Sequence, residues 1–401
     1  MVQRVFKAFQ YRDFRLMWLG ACTSSVGTWM QKLAQSWLVL QISGSPFLLG
    51  LDSFLGEIPI FLFSLIGGVV ADRTDRRHLL LASQFVQLSC AFLLAGLIVF
   101  DVVKVWHILT LSFVVGLAQA FGGPAYQALI PSLVRSEDLS NAIALNSIQF
   151  NLARVIGPML GGLALTKLGA AWCFGLNGVS FVAVIISLLM LQIRFVPERT
   201  NESMLTSMKQ GIQFIRRQRA MEPLIALAFL MTLLGIPLIV FLPVFAKDVF
   251  HHGANTYTLF LSISGAGSVL GALVVAGMGN IRHKGRTALL MLVALGICMG
   301  GFALSKSLVL SCLLLFTAGI ALISVFSLVT SLVQLIAVDE MRGRVMSVYN
   351  VAFRGGMPIG SLVTGSLVPV FSAPSVFACN GVLLTALGLY FLLVQRRVAS
   401  L

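Results

Sequence analysis

Apolar runs of about 20 residues or more recur along the whole chain, at 15–42, 47–71, 78–100, 105–130, 141–167, 171–192, 222–246, 256–279, 287–305, 308–336, 345–371 and 374–395. A helix rises about 1.5 Å per residue, so each run can cross the hydrocarbon of a bilayer. The pattern predicts an all-α membrane protein with twelve transmembrane helices. Composition agrees with it: 58% of residues are hydrophobic and 10% charged, against roughly 25% charged in soluble proteins.

One polar break is longer than the rest. It covers 193–221 and divides the chain into a six-helix half at 1–192, a cytoplasmic linker, and a second six-helix half at 222–401. Within the linker Leu205, Met208, Ile212 and Ile215 recur at helical spacing, with Lys209, Arg216 and Arg217 on other faces. That predicts an amphipathic helix lying on the inner leaflet, for which a role as a plain tether between the halves weighs at least as much as a regulatory one.

The formal charge of +14 raises nucleic acid as a partner, and the placement of the basic residues removes it. With the N-terminus inside, 21 of the 28 lie in inner loops and tails and four, Lys104, Lys167, Lys247 and Lys306, in outer loops. This is the positive-inside bias and predicts both termini cytoplasmic. The remaining three, Lys32, Arg154 and Arg354, fall within spans. The six cysteines all fall in apolar segments, which indicates neither a disulfide framework nor a metal site.

The stretch Gly68-Val69-Val70-Ala71-Asp72-Arg73-Thr74-Asp75-Arg76-Arg77 resembles the signature loop GxxxDRxGRR of the major facilitator superfamily, with Asp75 standing where the pattern has glycine. Gly157-Pro158-Met159-Leu160-Gly161-Gly162 is similar to the GPxxGG signature of antiporters in that superfamily. The runs Gly27-Thr28-Trp29-Met30-Gln31, Ser36-Trp37-Leu38-Val39-Leu40-Gln41 and Arg342-Gly343-Arg344-Val345-Met346-Ser347 resemble the branch of enterobactin exporters and related bacterial multidrug efflux proteins. The resemblance implies two pseudo-symmetric halves, a bacterial inner membrane, and alternating-access export of a small amphiphile, siderophore or drug-like, by proton antiport. It also implies that spans one, four, seven and ten line the cavity. One departure bears on coupling: where many such antiporters carry an arginine in the fourth span, this chain has Ser112.

Traces of duplication fit that architecture. Asn151 and Arg154 with Pro158 and Gly161 are echoed by Asn350 and Arg354 with Pro358 and Gly360, an offset of about 200 residues. Residues 277–286 look like a worn copy of the 68–77 stretch.

Ionisable residues inside a membrane are costly and carry functional hypotheses by default. The clear ones are Lys32, Asp52, Glu57, Arg154 and Arg354. Lys32 and Glu57 are equidistant from the turn Ser43-Gly44-Ser45-Pro46, which places them at one depth where they can pair. Glu57 is then either a proton carrier or half of a fixed ion pair, with Asp52 the alternative carrier. Arg154 and Arg354 either bind an anionic group or satisfy carbonyls freed by Pro158 and Pro358. The stripes Ser25, Thr28, Lys32, Gln35 and Ser324, Ser327, Ser331, Gln334 are candidate cavity walls, with Gln119 and Tyr126 adding polar handles. Three cations against two carboxylates tilt the cargo toward an anionic or zwitterionic amphiphile. Asp72 with Arg73, Arg76 and Arg77 forms a candidate latch between conformational states.

No GxxxxGK[ST] phosphate loop and no HExxH pairing occurs, so ATP hydrolysis by that route and a zincin-type metalloenzyme are not indicated. The expected protein is no enzyme and needs no cofactor. Its partners are a small-molecule substrate, protons as coupling ion and the lipid bilayer, its working unit a monomer. The competing readings are a lipid or lysolipid flippase on the same fold and, more remotely, an intramembrane lipid-modifying enzyme, for which only the surroundings of Lys32 and Glu57 offer a partial set of groups.

Overall fold

The computed structural model describes residues 6–192, 204–218, 220–279 and 283–401. Arg194, Arg219 and Arg282, with the side chains of Leu205 and Met208, lie outside the described residues. Regular structure among the described residues is helical. After a 310 turn at Lys7–Gln10 come α1 (Arg12–Ser43), α2 (Pro46–Arg73), α3 (Arg76–Val99), α4 (Val105–Leu129), α5 (Leu139–Lys167) and α6 (Ala170–Leu189). Then follow α7 (Met204–Arg217), α8 (Met221–Gly235), α9 (Pro237–Val244), α10 (Ala254–Met278), α11 (Lys284–Leu304), α12 (Leu308–Ile336), α13 (Asp339–Phe371) and α14 (Ala373–Leu389).

Among the described residues ten helical stretches are long and apolar enough to cross a membrane, α8 and α9 counting as one with the π turn that follows them. The two others expected as spans are α1 and α13. At 32 and 33 residues they are the longest helices, and they fall short only in apolarity. The reason is chemical: α1 holds Gln31, Lys32 and Gln35, and α13 holds Arg342, Arg344 and Arg354. Where α1 ends, Gly44 takes a left-handed conformation, φ 62°, that closes the helix, and Pro46 opens α2 with its φ already set for helix.

The chain forms two compact units, Met1–Gly44 with Leu55–Thr200, and Ser45–Phe54 with Asn201–Leu401. In the first, α1 packs on α5 and α6, and α3 on α4 and α6. In the second, α8 packs on α13, and α11 on α12 and α14. The packing scheme is thus repeated. Close helix pairs use glycines in both units: a Cβ on Gly67 would stand 2.2 Å from the Ala120 carbonyl, and one on Gly267 would stand 2.0 Å from that of Phe316. Backbone meets backbone there, as small residues allow between membrane helices. The linker helix α7 also docks, since Gly211 lies against the Arg344 carbonyl of α13 and Ile215 is buried.

The ends of α2 and α3 show why Asp75 can replace the glycine of the signature. Only Thr74 and Asp75 break the helices, and the Asp75 carboxylate accepts a hydrogen bond from the Arg77 amide at 2.9 Å, capping α3. At the same end of the first unit Asp138, 2% exposed, gathers Lys7 Nζ at 2.7 Å, Tyr11 OH at 2.8 Å and Gln10 Nε2 at 3.0 Å. Phe9, with its ring 5.0 Å from that of Trp18, adds an apolar contact. This clamp holds the first turn of the chain against the start of α5.

The hydrogen bond to Asp138 raises the Lys7 amine above its ordinary 10.5. Its share of the clamp is therefore complete below that value and lost as pH rises through the higher one. Asp138→Asn is expected to leave the helices intact and release the turn, so that amide exchange at residues 8–11 speeds up by on the order of tenfold. Unchanged exchange there would mean that the aromatic contacts and the Ala8 amide bond to Asn141 hold the turn without Asp138.

Candidate functional site

The GPxxGG stretch lies directly on α1. A Cβ on Gly157 would stand 2.5 Å from Trp29 Cβ and 2.8 Å from the Val26 carbonyl, and one on Gly161 would stand 3.0 Å from Met30 Cα. Glycine is what lets α5 approach this closely. Arg154, one turn before Gly157, thereby reaches the Trp29 indole, with its guanidinium carbon 5.6 Å from the ring centroid. Lys32, one turn along α1, brings Nζ to 5.5 Å from the same centroid. Two cations share one indole, an arrangement in which each contact is worth about 0.5–2 kcal/mol.

Glu57 Oε1 lies 3.7 Å from Lys32 Nζ. The contact is loose and the Lys32 side chain is 58% exposed, against 19% for Glu57. Such pairs contribute at most about 1 kcal/mol, so this one leaves Lys32 free to exchange partners. Arg154 has no acidic partner and makes no hydrogen bond among the described residues. Asn151, on the same helix, donates instead to the Ser147 carbonyl. Two cations and one carboxylate leave the cluster with one positive charge when all are ionised.

Several other candidates in the first unit are already engaged. Gln35 donates to Ser112 at 2.9 Å, so the hydroxyl that replaces the antiporter arginine serves as a tie between α1 and α4. Ser25 accepts from the buried Gln149 of α5, and Tyr126 donates to Asn146. Thr28 and Gln119 are half-buried. Arg76 pairs with Asp72 at 3.5 Å and donates to the Ala128 carbonyl, while Arg77 donates to the Leu189 carbonyl. These bonds join the ends of α2, α3, α4 and α6, with Arg73 exposed beside them.

Of the residues in the second unit, Asp52 is buried, Ser327 and Ser331 are half-buried, and Gln334 and Arg354 are exposed. Gly356 and Gly360 of α13 lie on Thr232 and Leu233 of α8, as Gly157 and Gly161 lie on Trp29 and Met30. The duplicate thus has Thr232 where the first unit has the indole. Sequence patterning did not single out Trp29 as a site residue. Its three-residue spacing to Lys32 was the available signal; its contact with Arg154, 125 positions away, left none.

Two repeated helical units with exchangeable charges inside the spans define a secondary transporter. A family model for transmembrane secretion effectors, a family within the major facilitator superfamily, matches residues 4–400, and the chain belongs to that family. It is 27% identical over 393 residues to an enterobactin exporter, EntS, of Shigella boydii serotype 4, covering 95% of this chain and 91% of that protein. It is 24% identical over 385 residues to a staphyloferrin A transporter of Staphylococcus aureus, covering 93% and 94%. Among solved structures, the nucleoside transporter NupG superposes with a TM-score of 0.79 at 15% identity, covering 95% of this chain and 98% of that one. A peptide transporter, POT, solved with sulfate superposes with 0.75 at 14% identity, covering 97% and 95%. These likenesses establish the major facilitator fold and a transporter rather than an enzyme.

Two substitutions test the geometry. Gly157→Ala forces α5 off Trp29 and is expected to cost about 1–3 kcal/mol, whereas Gly123→Ala, which meets nothing within 4 Å, is neutral or mildly stabilising. Equal melting of the two variants would refute the contact. In a double-mutant cycle with Lys32→Met and Glu57→Gln, the expected coupling is at most about 1 kcal/mol. A coupling of about 3 kcal/mol or more would mark a fixed, desolvated pair.

Proposed function

We propose that the protein exports a small amphiphile bearing an anionic group, siderophore or drug-like, from the cytoplasm by alternating access driven by proton antiport. One observation carries the cargo reading: Arg154 and Lys32 converge on Trp29 with a single, loosely held carboxylate between them. The surplus cation calls for an anion, and the indole offers an apolar platform beside it. Relatives that carry enterobactin and staphyloferrin A by name support the same class of cargo.

The protein acts as a monomer in the bacterial inner membrane; the bias of its basic residues supports a cytoplasmic place for both termini. Glu57 and Asp52 are the carboxyls available for proton coupling. The Asp72 cluster acts as a latch, because the states of a transporter differ by a few kcal/mol and one charge-assisted contact supplies about 1.5–3 of them.

The test is transport into proteoliposomes with an imposed pH gradient, across siderophores, lipophilic cations and lysolipids. Siderophore movement should follow the gradient, fall by on the order of tenfold in Arg154→Gln, and be better preserved in Arg154→Lys, which keeps the charge without the planar fork. Movement of lipophilic cations alone would overturn the anionic reading, and gradient-independent movement of lysolipids would favour a flippase.

A further inference from the structure

The linker helix α7 gives only one of its faces to the protein. Gly211 and Ile215 turn toward α13: a Cβ on Gly211 would stand 2.7 Å from the Arg344 carbonyl and 3.3 Å from Val348 Cγ2, and Ile215 is buried. Ile212 lies about 100° round the axis from Gly211 and is 39% exposed. Hydrophobic spacing puts Ile212 and Ile215 in one stripe. The structure divides them, seating Ile215 in the protein and leaving Ile212 outside it.

The residues that flank Ile212 on the open face are basic. Lys209 stands three residues before it and Arg216 four after, both within about 60° of it around the axis, and Arg217 lies about 100° beyond Arg216. All three are exposed, and none has an acidic partner or a hydrogen bond among the described residues. From Met204 to Met221 the chain contains no Asp or Glu. The exposed acids Glu222, in the first turn of α8, and Glu340, at the start of α13, form no ion pair with them.

We infer that this face of α7 is a docking surface for anionic lipid headgroups, on which Lys209, Arg216 and Arg217 meet phosphates while Ile212 dips into the layer beneath. Chain length keeps the helix at the bilayer. Four residues after Arg217, α8 opens a stretch apolar enough to span, and four residues reach at most about 14 Å. Lys209 and Arg216 are separated by about 10 Å along the axis. A row of headgroups meets both at once, which one small ion does not. An apolar residue between two long cations is also the pattern of a helix lying in an interface, its basic side chains reaching back to the headgroups. The helix dipole gives a second reason for Arg216 and Arg217, which stand in the last turn, but none for Lys209 in the middle of the helix.

With the linker on the cytoplasmic side, as proposed above, the lipid is that of the inner leaflet, whose anionic headgroups attract basic segments. Because α7 is seated on Arg344 and Val348, lipid that holds α7 also steadies the first turns of α13, the helix that carries Arg354.

The test follows amide exchange of the full chain in nanodiscs of phosphatidylcholine alone and of phosphatidylcholine with about 30% phosphatidylglycerol. Nanodiscs offer the same lipid on both faces, so the outcome depends neither on which side holds the linker nor on any cargo. Each basic residue near an anionic surface favours the bound helix by about fivefold. Exchange at residues 209–217 is therefore expected to slow by about tenfold or more in the anionic discs, with the difference shrinking in about 0.5 M salt. The slowing should extend to residues 344–348, and the triple variant Lys209→Gln, Arg216→Gln, Arg217→Gln should exchange alike in both discs. Equal exchange of the wild type in the two discs would overturn the docking surface, a result that stands even if the triple variant folds poorly. Equal protection by inorganic phosphate added to phosphatidylcholine discs would overturn it in favour of a site for a free anion. A triple variant that keeps the full lipid difference would overturn the role of these side chains, and slowing confined to α7 would overturn its hold on α13.

Discussion

The contact of α5 with α1 at Gly157 and Gly161 is the constraint on which the rest of the site depends. A side chain at either position would meet Trp29 or Met30 at distances that real atoms avoid, so only glycine permits the approach. With α5 seated there, the Arg154 guanidinium lies over the Trp29 ring. Lys32 is already one helical turn along on α1. The antiporter-like motif thus acts here as a packing surface that delivers a cation to an indole, and the chemistry follows from the packing.

The same surface occurs twice in the chain, and the chemistry occurs once. Gly356 and Gly360 seat α13 on α8 as their counterparts seat α5 on α1, yet the facing residue is Thr232, whose hydroxyl bonds to carbonyls of its own helix. Duplication supplied the helix pairing, which small residues maintain. A single large side chain at position 29 supplied the asymmetry. A transporter needs matching halves to rock and an unmatched site to discriminate, and these two requirements are met by different residues on the same helices.

Much of this was legible in the sequence because membrane helices announce themselves by length and polarity. The spans, the hairpin turn at Gly44 and the matched depth of Lys32 and Glu57 all follow from local pattern. Asp75 read as a departure from the signature and proved to be the cap of α3, a role its short acidic side chain fills well. What the sequence left unspoken depends on contacts distant along the chain. The convergence of Trp29 and Arg154 gives no local pattern, and Asp138 reads as an ordinary loop acid although it gathers three side chains from the start of the chain. Polar stripes give the face and leave the partner open: Ser25 and Gln35 belong to the Lys32 stripe by spacing, and their hydrogen bonds go to α5 and α4.

The most direct measurement of the central claim is the response of Trp29 itself to charged quenchers. The chain has five tryptophans, and replacing Trp18, Trp37, Trp106 and Trp172 with phenylalanine leaves the indole at 29 as the only reporter. With two cations at its ring, its fluorescence should be quenched several-fold more strongly by iodide than by caesium, because anions concentrate there and cations are repelled. The difference should shrink when Arg154 is changed to Gln. Equal quenching by the two ions, or stronger quenching by caesium, would contradict a cationic site built on Trp29.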